Sequence, residues 1–293
     1  MILYKWSLSM ANMAFISSPL DRKANHRSDK DWVAARIADP KAMFVQMFAD
    51  SVRMSGEKLS LARPDGVRTN IFLGEDEAGE PWFAYTEKTE GEMQALRPLM
   101  MAHTVPREKL SILAQARSLL HWHEKHGFCA NCGSKTDMAD AGYRRTCLVC
   151  TTDHFPRTDP VVIMAVRHAG KLLLGRQKSW VAGQYSAIAG FMEPGETMEQ
   201  AVAREVKEET GIAVGNVQYI ASQPWPFPSS LMIGCVAEAI NSDIIVDEKE
   251  LEAARWFNFA DVKLMLDHQH PSGLHASHPW AIAHTVITAA IRT

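Results

Sequence analysis

The stretch Gly190–Ile212, GFMEPGETMEQAVAREVKEETGI, decides the fold of the second half of the chain. It predicts a glycine-containing entry loop followed by an amphipathic helix. Thr197 is a suitable N-cap, and Gln200 three residues later completes a capping-box pattern. Gly211 stands where helices commonly end in a glycine. Apolar residues recur at helical spacing and predict the packing face of this helix: Met198, Ala201, Val202 and Val206.

The predicted helix carries a row of carboxylates on one side. Glu205, Glu208 and Glu209 are spaced i, i+3 and i+4, so their side chains converge. Carboxylates this close repel one another unless a cation neutralises them, and Mg²⁺ and Mn²⁺ prefer oxygen ligands. Arg204 is within reach of Glu208 and of Glu196 in the entry loop, whose orientation it would fix. The alternative interpretation is a solvated acidic helix face.

The complete spacing of this stretch resembles the Nudix family. Gly190, Glu196 and the run from Arg204 to Ile212 match the Nudix box at every fixed position. The resemblance implies an α/β/α Nudix fold and metal-assisted hydrolysis of a nucleoside diphosphate linked to a second moiety. The box itself does not specify the second moiety.

Four cysteines upstream of the box form two closely spaced pairs. Cys129 and Cys132 make one C-x-x-C knuckle, and after fourteen intervening residues Cys147 and Cys150 make the other. Two such knuckles suit tetrahedral coordination of a structural Zn²⁺, with disulfides as the alternative. The basic pair Arg144–Arg145 between the knuckles leaves nucleic-acid binding open as a further use of this ribbon.

These two motifs divide the chain into three predicted parts, which together make an α+β protein. They are an N-terminal α+β domain at residues 1–120, a Cys₄ zinc ribbon at 121–153 and a Nudix hydrolase domain at 154–293. In the N-terminal part, periodicity predicts helices over 31–48 and 109–126, with Pro40 breaking or kinking the first, and strands over 67–75 and 81–87.

Composition excludes several classes of protein. The 293 residues carry a formal net charge of −3, which gives no general attraction to nucleic acid or anionic membranes. No apolar run is long enough for a membrane span, and the N-terminal residues lack a signal-peptide cleavage pattern. The fifth cysteine, Cys235, lies in an apolar run and is interpreted as a core residue in a reducing cytoplasm.

A proline-rich stretch follows the box, from Ser222 to Ser230. Its alternating prolines hold the chain extended and would make Trp225 and Phe227 rigid surfaces for stacking on a base. Gln223 and the serines offer hydrogen bonds to ribose or phosphate. The alternative is a structural loop with packed aromatic side chains.

The sequence SQPWPFP, downstream of a Nudix box and a Cys₄ ribbon, resembles the NADH pyrophosphatase branch of the Nudix family. The likeness covers about residues 129–291. It implies cleavage of the pyrophosphate of NAD(H) to nicotinamide mononucleotide and AMP, a homodimer and, in some members, removal of NAD caps from RNA.

The resemblance also implies roles for single residues at the metal site. Glu205 and Glu209 match metal ligands, and Glu208 matches a further ligand or base. Glu250, in VDEKELEAARWF, matches another carboxylate at the metal, and Ala189 a backbone carbonyl ligand.

On the substrate side, the resemblance implies contacts from three places. Phe155 matches an aromatic contact that is tyrosine in some relatives, Ala283 matches a backbone contact, and Arg97 is weakly similar to a basic residue of the N-terminal domain. The remaining contacts are those of the proline-rich stretch: Gln223, Pro224, Trp225, Pro226, Phe227, Pro228, Ser229 and Ser230.

Two other functions compete with NAD(H) hydrolysis. Within the same chemistry, the substrate would be another nucleoside diphosphate such as ADP-ribose. From a different class, the chain would be a zinc-ribbon regulator that binds nucleic acid and uses its Nudix domain as a ligand sensor. The intact box, the slightly negative net charge and the lack of a helix-turn-helix signal disfavour the regulator.

Overall fold

The computed structural model describes residues 12–64, 70–88 and 92–292, which form two compact units. One unit comprises Phe15–Thr158 and Pro224–Ser229, and the other comprises Asp159–Gln223 and Ser230–Thr293 with the segment ending at Ala14. Within the described ranges, no helix is both long and apolar enough to cross a bilayer. The first eleven residues, where no signal peptide is predicted, and residues 67–69 of one predicted strand lie outside the described residues.

The N-terminal unit is built on a sheet of six strands in the order β3-β2-β1-β5-β4, with β6 paired to β2. Strands β1 and β5 run parallel, and the other pairs are antiparallel. The strands are β1 (Met43–Phe48), β2 (Ser51–Ser55), β3 (Lys58–Leu59), β4 (Ile71–Glu75), β5 (Pro81–Thr86) and β6 (Met93–Ala95).

Three helices accompany this sheet: α1 (Lys30–Ala38), α2 (Leu96–Met101) and α3 (Arg107–Lys125), besides short 3₁₀ turns at Ala24–His26 and Asp140–Gly142. The predicted helix over 109–126 is confirmed by α3. The predicted helix over 31–48 is wrong beyond Ala38, because the chain after Pro40 enters β1. Apolar residues of β1 pair with β5 there, and this long-range pairing overrides the local helical periodicity.

The zinc-ribbon part of this unit is a small antiparallel sheet of three strands. It contains β7 (Thr136–Ala139), β8 (Arg144–Cys147) and β9 (Asp153–His154). Each knuckle flanks this sheet, so the strands fix the separation between the two pairs of cysteines.

The second unit is a mixed sheet in the order β13-β14-β10-β11-β15, with β12 paired to β10. Before β12, the backbone N–H of Tyr185 bonds to the His275 carbonyl, and the backbones of Ser186 and Gly175 bond to each other. The strands are β10 (Asp159–His168), β11 (Lys171–Arg176), β12 (Ile188–Phe191), β13 (Val214–Trp225), β14 (Ser230–Ala239) and β15 (Ala253–Asn258).

Helices cover both faces of this sheet. The helix α4 (Met198–Thr210) buries Ala201, Val202 and Val206 against β10 and β14. The helix α6 (Ile282–Arg292) packs so closely on the opposite face that a Cβ on Gly234 would lie 2.6 Å from Val286. A third helix, α5 (Phe259–Leu266), follows β15. The predicted α/β/α sandwich is confirmed.

The two larger sheets share a central arrangement but differ in their other strands, since β3 pairs with β2 whereas β12 pairs with β10. Each is centred on a parallel pair, β1 with β5 and β10 with β14, and each parallel pair is flanked by antiparallel strands. In the second unit, β12 and α4 lie between β11 and β13 along the chain. Residues 60–64 and 70 of the first unit form no helix, so the described part of the N-terminal sheet lacks a counterpart of the carboxylate-bearing helix.

Candidate active site and zinc ribbon

The helix α4 begins and ends as the sequence predicts. The Thr197 side chain accepts a hydrogen bond from the Gln200 backbone N–H, and the Gln200 side chain accepts one from the Thr197 N–H, which makes a complete capping box. At the other end, Gly211 adopts a left-handed conformation with φ of 72°. Local residues therefore determine both ends of the helix that carries the carboxylates.

Arg204 forms hydrogen bonds that connect the carboxylates of the entry loop and of α4. Its Nε and Nη2 atoms donate to the two oxygens of Glu196 at 2.6 and 2.8 Å. Its Nη1 atom donates to Glu205 at 2.8 Å and to Glu208 at 3.0 Å, and Nη2 also reaches the Phe191 carbonyl at 2.9 Å. The predicted contacts of Arg204 with Glu196 and Glu208 are confirmed.

Glu196 is held as a carboxylate by these bonds. Hydrogen bonding from Arg204, with a second bond from the Glu193 backbone N–H, lowers the pKa of Glu196 to about 2. The same bonds raise the pKa of the Arg204 guanidinium. Entry loop and helix are therefore fixed to each other by a permanent ion pair.

Glu205 lies directly against the backbone of β12. A Cβ on Gly190 would stand 1.9 Å from Cδ of Glu205, so any larger residue would displace the carboxylate. The Gly190 backbone pairs with Val162 of β10, which fixes this close approach. The glycine of the box is thus required by packing on a side chain, whereas Gly195 has a positive φ of 94° and open space around it.

Glu209 is the buried member of the group, with 9% of its surface exposed. Burial raises the pKa of Glu209 to about 8, and the negative charges of Glu205, Glu250, Asp247 and Glu208 add to the effect. The predicted carboxylate Glu250 therefore faces this group. Asp247, whose backbone N–H bonds to the Glu209 carbonyl, was not predicted, although the acidic run VDEKE was a signal for it.

The carboxylates face one another without converging on a single point. Among the described residues, the only metal-type cluster with all ligand atoms within 4.8 Å of one another is that of the four cysteines. Arg204 occupies one side of Glu205 and Glu208. Metal ligation by Glu205, Glu208, Glu209, Glu250 and the exposed Ala189 stays a prediction.

The proline-rich stretch differs from the predicted loop. Ser222–Trp225 belongs to β13 and Ser230 begins β14, so only residues 226–229 connect the two strands. Ser229 bonds through Oγ to the Arg157 carbonyl at 3.0 Å. Pairing with neighbouring strands, which local composition does not reveal, makes this stretch a hairpin.

Gln223 is fully buried and bonded to its own unit. Its Nε2 atom donates to the carbonyls of Ala14 at 2.9 Å and Trp280 at 2.8 Å, and its Oε1 atom accepts from the Ile282 N–H at 2.8 Å. These bonds give Gln223 a structural role that the sequence did not reveal. Its assignment as a substrate contact stays a prediction.

The two aromatic residues of the hairpin form a cluster with a third. Trp225 and Phe227 meet edge to face at 5.4 Å, and the Phe15 ring lies 5.8 and 6.1 Å from them. The exposed Arg97 places its guanidinium 5.5 Å from the Trp225 ring and 4.8 Å from the Phe227 ring. Trp225 and Phe227 are half-buried and Phe15 is buried, and no motif indicated that Phe15 would join them.

The other predicted substrate contacts differ in how far they are exposed to solvent. Phe155 follows β9 with 62% of its surface exposed, and Ala283 is buried in the first turn of α6. Pro224 and Pro228 are exposed, whereas Pro226 and Ser230 are buried. The roles predicted for all of these residues stay predictions.

The cysteine cluster suits a tetrahedral zinc ion. The Sγ atoms of Cys129 and Cys150 are 3.6 Å apart, and those of Cys132 and Cys147 are 3.5 Å apart. Four sulfurs about 2.3 Å from Zn²⁺ would be about 3.8 Å apart in a tetrahedron. All five cysteines are free, so the disulfide alternative finds no support. His154 contacts the Cys129 sulfur through Nε2 at 3.2 Å.

The basic pair of the ribbon is engaged within the protein. Arg144 pairs with Asp140 and Asp153, and Arg145 bonds to Thr136 and His123. These contacts tie the ribbon to itself and to α3.

Comparison with known proteins decides the family. The NUDIX domain model matches residues 156–277. The human NAD-capped RNA hydrolase NUDT12 is 38% identical over an alignment that covers 95% of this chain and 73% of that protein. The chain belongs to the Nudix hydrolase family. The helix α4 therefore lies within the matched NUDIX domain of this family member.

The remaining matches place this Nudix hydrolase in the NADH pyrophosphatase branch. The NADH pyrophosphatase zinc ribbon model matches residues 124–155, and the NADH pyrophosphatase-like rudimentary NUDIX domain matches 39–122. NAD-capped RNA hydrolase NudC of Stutzerimonas stutzeri is 41% identical over 61% of this chain and 66% of that protein. The mouse NAD(P)H pyrophosphatase NUDT13 is 43% identical over 62% of this chain and 55% of that protein.

Proposed function

We propose that this Nudix hydrolase cleaves the pyrophosphate bond of NAD(H) to nicotinamide mononucleotide and AMP and also removes NAD caps from RNA. The observation that carries the proposal is the carboxylate group of α4, where Arg204 joins Glu196, Glu205 and Glu208 beside the buried Glu209. The activities printed for its relatives, NAD-capped RNA hydrolase and NAD(P)H pyrophosphatase, support this choice of substrate.

The donors of the α4 site fit a hard divalent cation. Glu205, Glu208, Glu209, Glu250 and the Ala189 carbonyl offer oxygen ligands only. A cation among them would relieve the repulsion between carboxylates that helps to raise the pKa of Glu209. We therefore propose Mg²⁺ or Mn²⁺ at these residues. When bound, such an ion neutralises the pyrophosphate and lowers the pKa of a water ligand.

Other residues position the reactants in this proposal. Arg204 holds Glu205 and Glu208 in place, and its own orientation is fixed by the bidentate contact with Glu196. The aromatic faces of Trp225 and Phe227 suit stacking on a base.

Product analysis tests the reaction. Full-length protein incubated with NADH and Mg²⁺ or Mn²⁺ should yield reduced nicotinamide mononucleotide and AMP in equal amounts by chromatography. Glu209→Gln should lower kcat by orders of magnitude with the fold intact, whereas Glu199→Gln, an exposed position of the same helix, should not. Near wild-type activity of the Glu209→Gln variant would refute the assignment of α4 as the catalytic helix.

Competition separates the alternative substrates. The kcat/KM value of one enzyme preparation is measured for NADH, ADP-ribose and NAD-capped RNA. The ratios of these values rank the three substrates. A preference for ADP-ribose over both NAD-containing substrates would replace the proposed function with the other nucleoside diphosphate pyrophosphatase.

We also propose a cytoplasmic homodimer that retains structural zinc. Five free thiols favour a reducing compartment. Light scattering coupled to gel filtration measures the mass against the 32.7 kDa of one chain. A single-chain mass at micromolar concentration would contradict the dimer.

A further inference from the structure

An open cavity of about 440 Å³ lies in the unit that contains the N-terminal sheet and the ribbon. None of its lining residues belongs to the Nudix box, the hairpin or the cysteine cluster. Its floor is formed by Met47 and Phe48 at the end of β1 and Thr86 at the end of β5. These strands are parallel, with Met47 opposite Thr86, so the cavity opens at their carboxyl ends.

One wall of the cavity is a single face of α3. Arg117, Leu120, His121 and Glu124 line it at positions i, i+3, i+4 and i+7 of the helix. Arg145, from β8 of the ribbon, contributes to the lining as well. The cavity is therefore shaped jointly by the N-terminal sheet and the ribbon.

Within the described residues, no carboxylate forms an ion pair with Arg145, and the negative charge nearest in effect is that of Asp137. Its hydrogen bonds go to neutral acceptors, namely Oγ1 and the carbonyl of Thr136 at 2.7 and 2.6 Å and Nδ1 of His123 at 2.8 Å. These bonds use three of the five guanidinium protons. The other two remain available to an anion.

Arg117 supplies a second guanidinium. Its side chain is 8% exposed, and its Nε and Nη2 atoms bond to one oxygen of Asp50, whose own side chain is 57% exposed. Among the described residues, no hydrogen bond uses Nη1 of Arg117. The acidic lining residue Glu124 forms an ion pair with Lys125, and its side chain is 60% exposed. Its negative charge is therefore largely solvated. Asp50 offsets the charge of Arg117, so the attraction of the lining for an anion comes chiefly from Arg145.

The rest of the lining suits a flat apolar body. Phe48 is 45% exposed although it is a large aromatic residue, and the half-buried Leu120 adds apolar surface above the buried Met47 and Ile71. Pockets that bind small organic ligands have volumes of roughly 300–1,000 Å³ and combine such surfaces with a few polar groups. A planar ring and one phosphate fit both the size and the two kinds of lining.

We propose that this cavity is a second ligand site, which binds a mononucleotide with its phosphate at Arg117 and Arg145 and its base against Phe48 and His121. The site is independent of the hydrolysis proposed for α4. Two arginines recognise a phosphate through charge-assisted hydrogen bonds, and the half-buried imidazole and phenyl rings provide stacking surfaces.

Photolabelling of the full chain with 8-azido-AMP, without added Mg²⁺ or Mn²⁺, locates the bound nucleotide. Peptide mapping should find label on peptides containing Phe48 or His121, and excess AMP should remove it. Inorganic phosphate should compete far less than AMP, because it lacks the base. Label confined to α4 or to the hairpin, or no label at all, would overturn the proposal.

Calorimetry with AMP measures the affinity of the same site. Thr86→Trp fills the cavity and His121→Glu places a carboxylate in it, and each should raise Kd at least about tenfold. Arg107→Glu, on the same helix but outside the cavity, is the matched charge control and should leave Kd unchanged. Equal affinity in all four proteins would overturn the proposal, and if a variant does not fold, the label on the wild-type chain decides.

Discussion

The carboxylate of Glu205 packs directly against the backbone of Gly190, so a Cβ on the glycine would lie 1.9 Å from Cδ of the glutamate. Side chain and strand backbone thus touch at the point where the box begins. The contact explains why the box requires a glycine at position 190, although the carboxylate that it touches lies on the following helix.

Gly190→Ala should therefore displace Glu205 and reduce activity while the fold persists. The clashing atoms are the flexible end of a glutamate, so the melting temperature should change little, but kcat/KM should fall about 100-fold because the carboxylate is misplaced. Steady-state kinetics and a thermal melt measure both effects. Gly215→Ala, whose new Cβ meets only Ile240 at 3.7 Å, is the matched control. Full activity of Gly190→Ala would contradict this account.

Gln223→Ala should destabilise the protein. It removes the partner of the Ile282 N–H and of two carbonyls in a fully buried place, at a cost of about 2 kcal/mol or more in unfolding free energy. Denaturant unfolding gives the stability, and NADH kinetics give KM. A raised KM with unchanged stability would instead indicate the substrate contact predicted from the sequence.

His123 should make stability depend on pH. Its Nε2 donates to the Gly142 carbonyl and its Nδ1 accepts from Arg145, so the ring is neutral in the folded chain. Burial, with the nearby Arg145 and His126 charges, lowers the pKa of His123 to about 4. The folded state therefore binds fewer protons than the unfolded state, and this stabilisation is present above pH of about 6.5 and lost as pH falls towards 4.

Thermal melts of the wild type and of His123→Gln over pH 4–8 check this dependence. Glutamine keeps one donor and one acceptor but cannot be protonated, so the variant should lose less stability on acidification. Parallel curves for the two proteins would exclude His123 as the cause.

Cys129→Ser should lose zinc and lower the melting temperature, because metal binding is coupled to folding of the ribbon. Elemental analysis gives the zinc content per chain. Cys235→Ala, a buried cysteine outside the cluster, should keep zinc even if it is less stable. Complete zinc loss with an unchanged melting temperature would show that the ion does not support the fold.

The sequence by itself determined the parts whose geometry is local. The capping box of α4, its terminal Gly211, the ion pair of Arg204 with Glu196 and the two cysteine knuckles were all predicted correctly, because each joins residues close in the chain. Fixed spacing on a helix or around a turn is sufficient to bring such groups together.

Only the tertiary structure decided the features that join distant segments. Gln223 bonds to Ala14 across 209 positions and to Trp280 across 57, Phe15 packs on Trp225, and the segment after Pro40 becomes a strand by pairing with β5. Hydrophobic periodicity reports which residues are buried, but it does not report what they are buried against. Which distant segments pack together depends on the free energy of the whole folded chain.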